Sequence, residues 1–118
     1  MNLEHLEILK SGVENWNRWR AENPDIIPDL QEADLQGSNS WGVDLRGVDL
    51  RGANLDYSVF PLWCGSFDIK VDERIMAQLA YHFCKLDCED KKLKIYQKLL
   101  IPLANKFHRI GIDCEELK

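Results

Sequence analysis

Apolar residues follow three rhythms along the chain. From Leu3 to Arg20, Leu6, Leu9, Val13 and Trp16 recur at intervals of three and four, Leu3 and Trp19 widen the stripe, and Glu4, Glu7, Lys10, Glu14 and Arg18 lie mostly off it. This spacing predicts one amphipathic helix over residues 3–20. Asn2 is placed to cap its start. Asn23, before Pro24, ends it, because a residue preceding proline is pushed out of the helical region. Gly12 costs about 1 kcal/mol inside such a helix. Between Pro28 and Leu62 the rhythm becomes five. From Phe67 to Val71 the stretch FDIKV alternates apolar and polar, which suits a short strand or an extended link. Asp72 then caps a helix whose stripe is Ile75, Leu79 and Phe83, beside Met76, Ala80 and Cys84, running to about Leu86. A last helix starts near Asp87 to Asp90, where acids suit the positive end of the dipole. Its stripe is Leu93, Tyr96, Leu100, Leu103 and Phe107, and Pro102 predicts a kink or break near Leu100.

Cut every five residues, the central segment is PDLQE ADLQG SNSWG VDLRG VDLRG ANLDY SVFPL. The block centres are Leu30, Leu35, Ser40, Leu45, Leu50, Leu55 and Phe60, and two positions earlier stand Pro28, Ala33, Ser38, Val43, Val48, Ala53 and Ser58. A period of five matches neither a helix, at about 3.6 residues per turn, nor a free strand, so each block must bury its apolar face by stacking on others. Gly37, Gly42, Gly47 and Gly52 close four successive blocks, where a corner requires positive φ or a tight approach. The intervening Asp and Asn column is expected to point outward and wet the surface.

The blocks ADLQG, VDLRG, VDLRG and ANLDY resemble the A(D/N)LXX pattern of pentapeptide-repeat proteins, and the repeat covers about a third of the chain. The resemblance implies a mainly β solenoid with α caps: a short right-handed quadrilateral β-helix of just under two coils, one N-terminal helix and two or three C-terminal helices. The expected organisation is a single domain, 1–118, with an N-terminal helical cap at 1–27, repeats at 28–62 and a C-terminal helical cap at 63–118. Residues twenty apart then stack, placing Leu30 on Leu50, Leu35 on Leu55 and Ser40 on Phe60, with Leu45 meeting Gly65. Both ends of so short a stack need covering, which the flanking helices are expected to do. Trp63 and Phe67 suit the second seam.

Composition limits the reading further. The chain has 118 residues, 45% hydrophobic content and a net charge of -5, enough for one domain with one core. Residues 1–27 carry -2, 28–62 carry -4 and 63–118 carry +1. Acidity on the repeat argues against nucleic-acid binding by counterion release and favours a basic partner if a charged one exists; solubility alone accounts for it equally well. No apolar run approaches the ~18–20 residues of a membrane span, and the start lacks a basic leader region, so a cytoplasmic location is expected. Cys64, Cys84, Cys88 and Cys114 fall short of a disulfide scaffold and are expected to be reduced.

His5, His82 and His108 are far apart, and the chain lacks a phosphate-cradling glycine loop, a nucleophile elbow and an HExxH pattern, so neither enzymatic activity nor a cofactor is expected. One metal-like set is His82, Cys84 and Cys88, with Cys64, His108 and Cys114 as completions; Cys84 and Cys88 share a helix face. Against it, paired C-x-x-C knuckles are missing, and Cys84 sits in an apolar stripe where cysteine acts as a small hydrophobe. Lys91, Lys92, Lys94 and Lys98 are read as a solvated helix surface.

The resemblance implies a non-catalytic protein-binding or inhibitory module, one form being a DNA-mimic-like inhibitor of a nucleic-acid-handling protein such as gyrase. Alternatives are a small phage or mobile-element adaptor or effector that binds another host protein, and a zinc-stabilised interaction module. The partner-binding candidates are Asp29, Asp34, Asp44, Asp49 and Asp56 on the acidic coil face. Two coils about 4.8 Å apart stand only about 10 Å tall, matching about six phosphates at one charge per ~1.7 Å of duplex. Arg46 and Arg51 interrupt the acidity, and a homodimer would be needed to lengthen it. The expected partner is a protein, with no direct nucleic-acid or membrane binding.

Overall fold

The structure, a computed structural model, describes all residues from Met1 to Lys118. It contains helices α1 (Leu3–Lys10), α2 (Val13–Glu22), α3 (Glu73–Cys84) and α4 (Lys91–Ala104), with a short 3₁₀ turn at Cys64–Ser66. The chain divides into two compact units, Met1–Val71 and Asp72–Lys118.

In the first unit, backbone pairing links residues twenty apart. Asp29 bridges Asp49, Asp34 bridges Asn54 and Asn39 bridges Val59, all parallel, and Asp49 also bridges Lys70, one residue beyond that spacing. The amides of Leu30, Leu35 and Ser40 donate to the carbonyls of Asp49, Asn54 and Val59 at 2.9, 2.9 and 3.0 Å. Asp49, Asn54 and Val59 donate back to Pro28, Ala33 and Ser38 at 3.0, 2.9 and 2.8 Å. Four five-residue blocks thus make one circuit of chain, the first over 28–47 and the second over 48–67.

Each bridge is isolated, and the chain contains four α-helices but neither strand nor sheet. The expected β solenoid with helical caps is therefore corrected. The physical reason lies at the block ends, where Gly37, Gly42, Gly47 and Gly52 have φ of 70, 71, 70 and 76°. Glu32 and Tyr57 occupy the same block position at φ 60 and 58°. The chain turns before a second consecutive residue can join a ladder. Leu30, Ala33, Leu35, Val43, Leu45, Val48, Leu50 and Ala53 are buried within the circuits. Burying these side chains is what the stacking achieves, at about 1.5–3 kcal/mol for each large one.

The N-terminal stripe forms two helices rather than one. Gly12 adopts φ 121°, open to glycine and strained for other residues, and separates α1 from α2. Asn2 caps α1 by accepting from the His5 amide, and Asn23 ends α2. Trp16 of α2 is fully buried. Trp63 and Phe67, expected in a buried seam, are exposed. The Trp63 ring lies over Gly65, so a Cβ there would come within 2.2 Å of it.

In the second unit, Asp72 and Asp90 cap α3 and α4 by accepting from the amides of Ile75 and Lys92. Ala80, Tyr81, Ala104 and Phe107 form the core, packed by Cys84, Leu103, Ile110, Cys114 and Leu117. The Tyr81 and Phe107 rings lie 5.0 Å apart, and the Tyr81 hydroxyl donates to the Glu115 carbonyl at 2.7 Å. Gln97 joins the helices: its Nε2 donates to the carbonyls of Phe83 and Leu86, both at 2.9 Å, where the chain leaves α3. Gln97 is thus level with the end of α3, and the first turns of α4 extend beyond it. Leu93 and Tyr96, read as core positions, are consequently exposed. Pro102 does not break α4 near Leu100; the helix runs through it to Ala104, only two residues further.

Candidate functional site

In these parallel bridges Asp49, Asn54 and Val59 direct their own N–H and C=O at the first circuit, so those of their partners Asp29, Asp34 and Asn39 point away. Asp29, Asp34 and Asn39 therefore present their amide groups along an outer edge of the first circuit, and Asp44, unbridged but at the same block position, directs its own toward α2. Two of these four positions are closed by the N-terminal helices. At Asp29, the amide donates to His5 Nδ1 at 3.0 Å and the carbonyl accepts from the Asn2 amide at 3.1 Å. At Asp44, the amide donates to Asn17 Oδ1 at 2.8 Å. The Asp44 carbonyl accepts from Trp16 Nε1 at 2.7 Å and Arg20 Nη1 at 2.8 Å. Asn17 Nδ2 donates to the Gly42 carbonyl at 2.9 Å, and Arg20 Nη2 donates to the Arg46 carbonyl at 2.6 Å. Asn17 thereby acts as a side-chain copy of a peptide group, one donor and one acceptor on neighbouring residues.

At Asp34 and Asn39 the backbone N–H and C=O groups make no hydrogen bond within the chain. Both residues are exposed. A cleft of about 540 Å³ lies along this open part of the edge. One wall is the α1–α2 junction, with Leu9, Lys10, Gly12 and Val13; the other runs from Asp34 to Ser40 and includes Val43. Ser38 is among the lining residues, although its hydroxyl oxygen is itself buried.

The acidic positions have local work in the circuit. Asp29, Asp34, Asp44 and Asp49 each accept through Oδ1 from the amide two residues on, at 3.0, 3.2, 3.2 and 3.2 Å. Asp44 and Asp49 also form two-pronged ion pairs with Arg46 and Arg51, with closest approaches of 2.7 and 2.6 Å. Those arginine hydrogen bonds hold both carboxyls below the ordinary carboxylate range. For Asp29 the main cause of the same shift is the Gln31 amide, and its carboxylate lies 3.6 Å from the Met1 amino group. Asp49 and Asp56 are only 6 and 7% exposed. The fold stacks Asp29 on Asp49, and Asp34 faces the open cleft. With Asp44 and Asp49 neutralised by arginine, the DNA-mimic and inhibitor readings lose the bare acidic surface they require and are not retained.

No group of three or more His, Cys, Asp or Glu side chains is placed to hold a metal ion. His82 Nδ1 is 2.8 Å from the Gln78 carbonyl, and Cys84 Sγ donates to the Gln97 carbonyl at 3.3 Å. Burial pushes the Cys84 thiol up. Cys88 is a free thiol in the α3–α4 connection. No helix is long and apolar enough to cross a membrane.

Sequence reasoning missed His5, Asn17 and Arg20 as edge-capping residues, and Lys10 and Ser38 as cleft residues. The available signal was Trp16, Asn17 and Arg20 at i, i+1 and i+4, which set three donors on adjoining sides of one helix.

A chain that returns on itself every twenty residues in five-residue blocks defines a stacked-repeat protein. Residues 29–60 match the family model for pentapeptide repeats in eight copies, and this segment belongs to that family. The family is generally non-catalytic and compatible with a protein-interaction module. No curated protein and no solved structure matches the chain.

Proposed function

We propose that the chain is a non-catalytic protein-binding module whose contact surface includes the outward face of α4. The observation that carries this reading is the exposure of Ile95 and Leu99, 57 and 69%, one helical turn apart on the side away from buried Ala104. Lys91, Lys92, Lys94 and Lys98 surround them, and α4 contains no acid. Apolar side chains grouped on a surface and rimmed by one charge mark an interaction site. The complementary partner is a protein surface with an apolar centre and an acidic rim. Gln97 supports this face by fixing α4 against the end of α3.

The test is affinity capture with the full chain, comparing the native protein with an Ile95→Glu, Leu99→Glu double variant. Neither side chain belongs to the buried core, so helicity and melting should change little. A protein captured by the native chain should be lost by the variant, and binding should weaken with salt. Equal capture by both would refute the reading.

A further inference from the structure

We infer that the open edge at Asp34 and Asn39 is a binding site for a short extended polypeptide segment. The observations are independent of the α4 surface. Two consecutive blocks present four unbonded backbone groups, an N–H and a C=O at each of Asp34 and Asn39. At each residue the N–H and C=O pair is the complement of one residue of an extended peptide, the main-chain pairing by which such segments are bound. On the inner side, these residues already pair with chain: the amides of Asn54 and Val59 and their carbonyls occupy the neighbouring groups. On the outer side, the chain shows what the edge accepts, because Asn17 supplies an amide donor and acceptor at Gly42 and Asp44, and the Asn2 backbone amide reaches Asp29. The two remaining positions have the same groups with nothing on them.

The cleft there has the size and lining of a site. Its volume of about 540 Å³ lies within the ~300–1,000 Å³ typical of ligand pockets. Leu9, Val13, Leu35 and Val43 give an apolar wall for one aliphatic side chain of the peptide, while Lys10 and Asp34 mark its rim. The Ser38 hydroxyl is buried with no partner in the chain. Main-chain hydrogen bonds supply affinity in this mode, and the apolar wall supplies preference. The site deepens the protein-binding reading, resting on it only in that the ligand is polypeptide.

The test uses short random peptides displayed against the immobilised full chain, followed by synthesis of the strongest binder. Bound peptide should slow hydrogen exchange at the Asp34 and Asn39 amides by about tenfold or more. Methylating the peptide's backbone nitrogens should abolish binding, because the ligand then loses its donors. Leu9→Trp, which fills the cleft, should also abolish it. Failure to find a peptide with affinity better than ~1 mM, or binding that leaves exchange at Asp34 and Asn39 unchanged, would overturn the inference. Protection of those amides by self-association without peptide would also overturn it, assigning the edge to a second copy. The Ile95→Glu, Leu99→Glu variant should retain the peptide. Loss of the captured protein by that variant therefore tests the α4 surface separately.

Discussion

Replacing Asn17 with alanine tests whether α2 holds the outer edge of the first circuit. The substitution removes two hydrogen bonds, 2.9 Å to the Gly42 carbonyl and 2.8 Å from the Asp44 amide. Gly42 and Asp44 are both partly buried, so the abandoned groups are incompletely hydrated. At about 1 kcal/mol net per bond, the loss is about 2 kcal/mol. Alanine's better helix propensity returns a few tenths of that. For a chain of this length, roughly 4 °C of melting temperature per kcal/mol converts the loss to about 7 °C. Asn15 provides the control, since it is exposed and its one contact is a 3.5 Å hydrogen bond to the Ser11 carbonyl. Asn15→Ala should melt with the native protein. Thermal denaturation followed by tryptophan fluorescence suits the question, because Trp16 adjoins Asn17 and is fully buried. Melting temperatures of Asn17→Ala and Asn15→Ala within about 2 °C of each other would refute the claim that this amide closes the edge.

Gly52→Ala should destabilise more than Gly47→Ala in urea unfolding, although both glycines have φ above 70° or at it: a Cβ at Gly52 would stand 2.9 Å from Glu32 Cγ, while one at Gly47 meets nothing within 4 Å. Each loses about 1 kcal/mol from the left-handed backbone, and only Gly52→Ala adds a contact that Glu32 must relieve. Leu50→Asp should prevent stable folding, seen as loss of a cooperative melt, because it puts an unpaired carboxylate at a fully buried position. For Asp49 the folded pKa is below the unfolded value, chiefly through the Arg51 hydrogen bond. Its stabilisation is therefore present above about pH 3.9 and lost as pH falls through the lower folded value. Asp49→Asn should be less stable than the native chain at pH 7, with the gap in urea midpoint closing toward pH 2; a constant gap would show that the ionised carboxylate is not the cause.

The register of the repeat was legible because its signals are local and repeated. Leucine every fifth residue and glycine at four block ends mark the blocks and their positive-φ corners at Gly37, Gly42, Gly47 and Gly52, while the pairing of Leu30 with Leu50 came from the resemblance, which sets four blocks to a circuit. Ladder continuity was not legible, because it depends on how soon each corner turns the backbone. In the Asp and Asn column expected to wet the surface, Asp34 and Asn39 are exposed, whereas Asp49 is buried because its carboxylate folds back onto the Arg51 amide and guanidinium. Periodicity likewise assigned Leu93 and Tyr96 to a core, although they lie on α4 beyond the point where α3 ends. The cleft was hidden for a further reason: which backbone groups remain open depends on where α1 and α2 happen to reach.

Pairing at a distance of twenty residues also sets how this chain can change length. One added residue in the second circuit would move its downstream leucines off their partners and require every later bridge to form anew. Five would preserve the block pattern but bring each downstream residue to the next side of the circuit. Twenty would insert a whole layer, leaving the helix-capped contacts at Asp29 and Asp44 on the first circuit and restoring the same side for everything that follows. The natural increment for lengthening the first unit, by recombination or by design, is therefore four blocks.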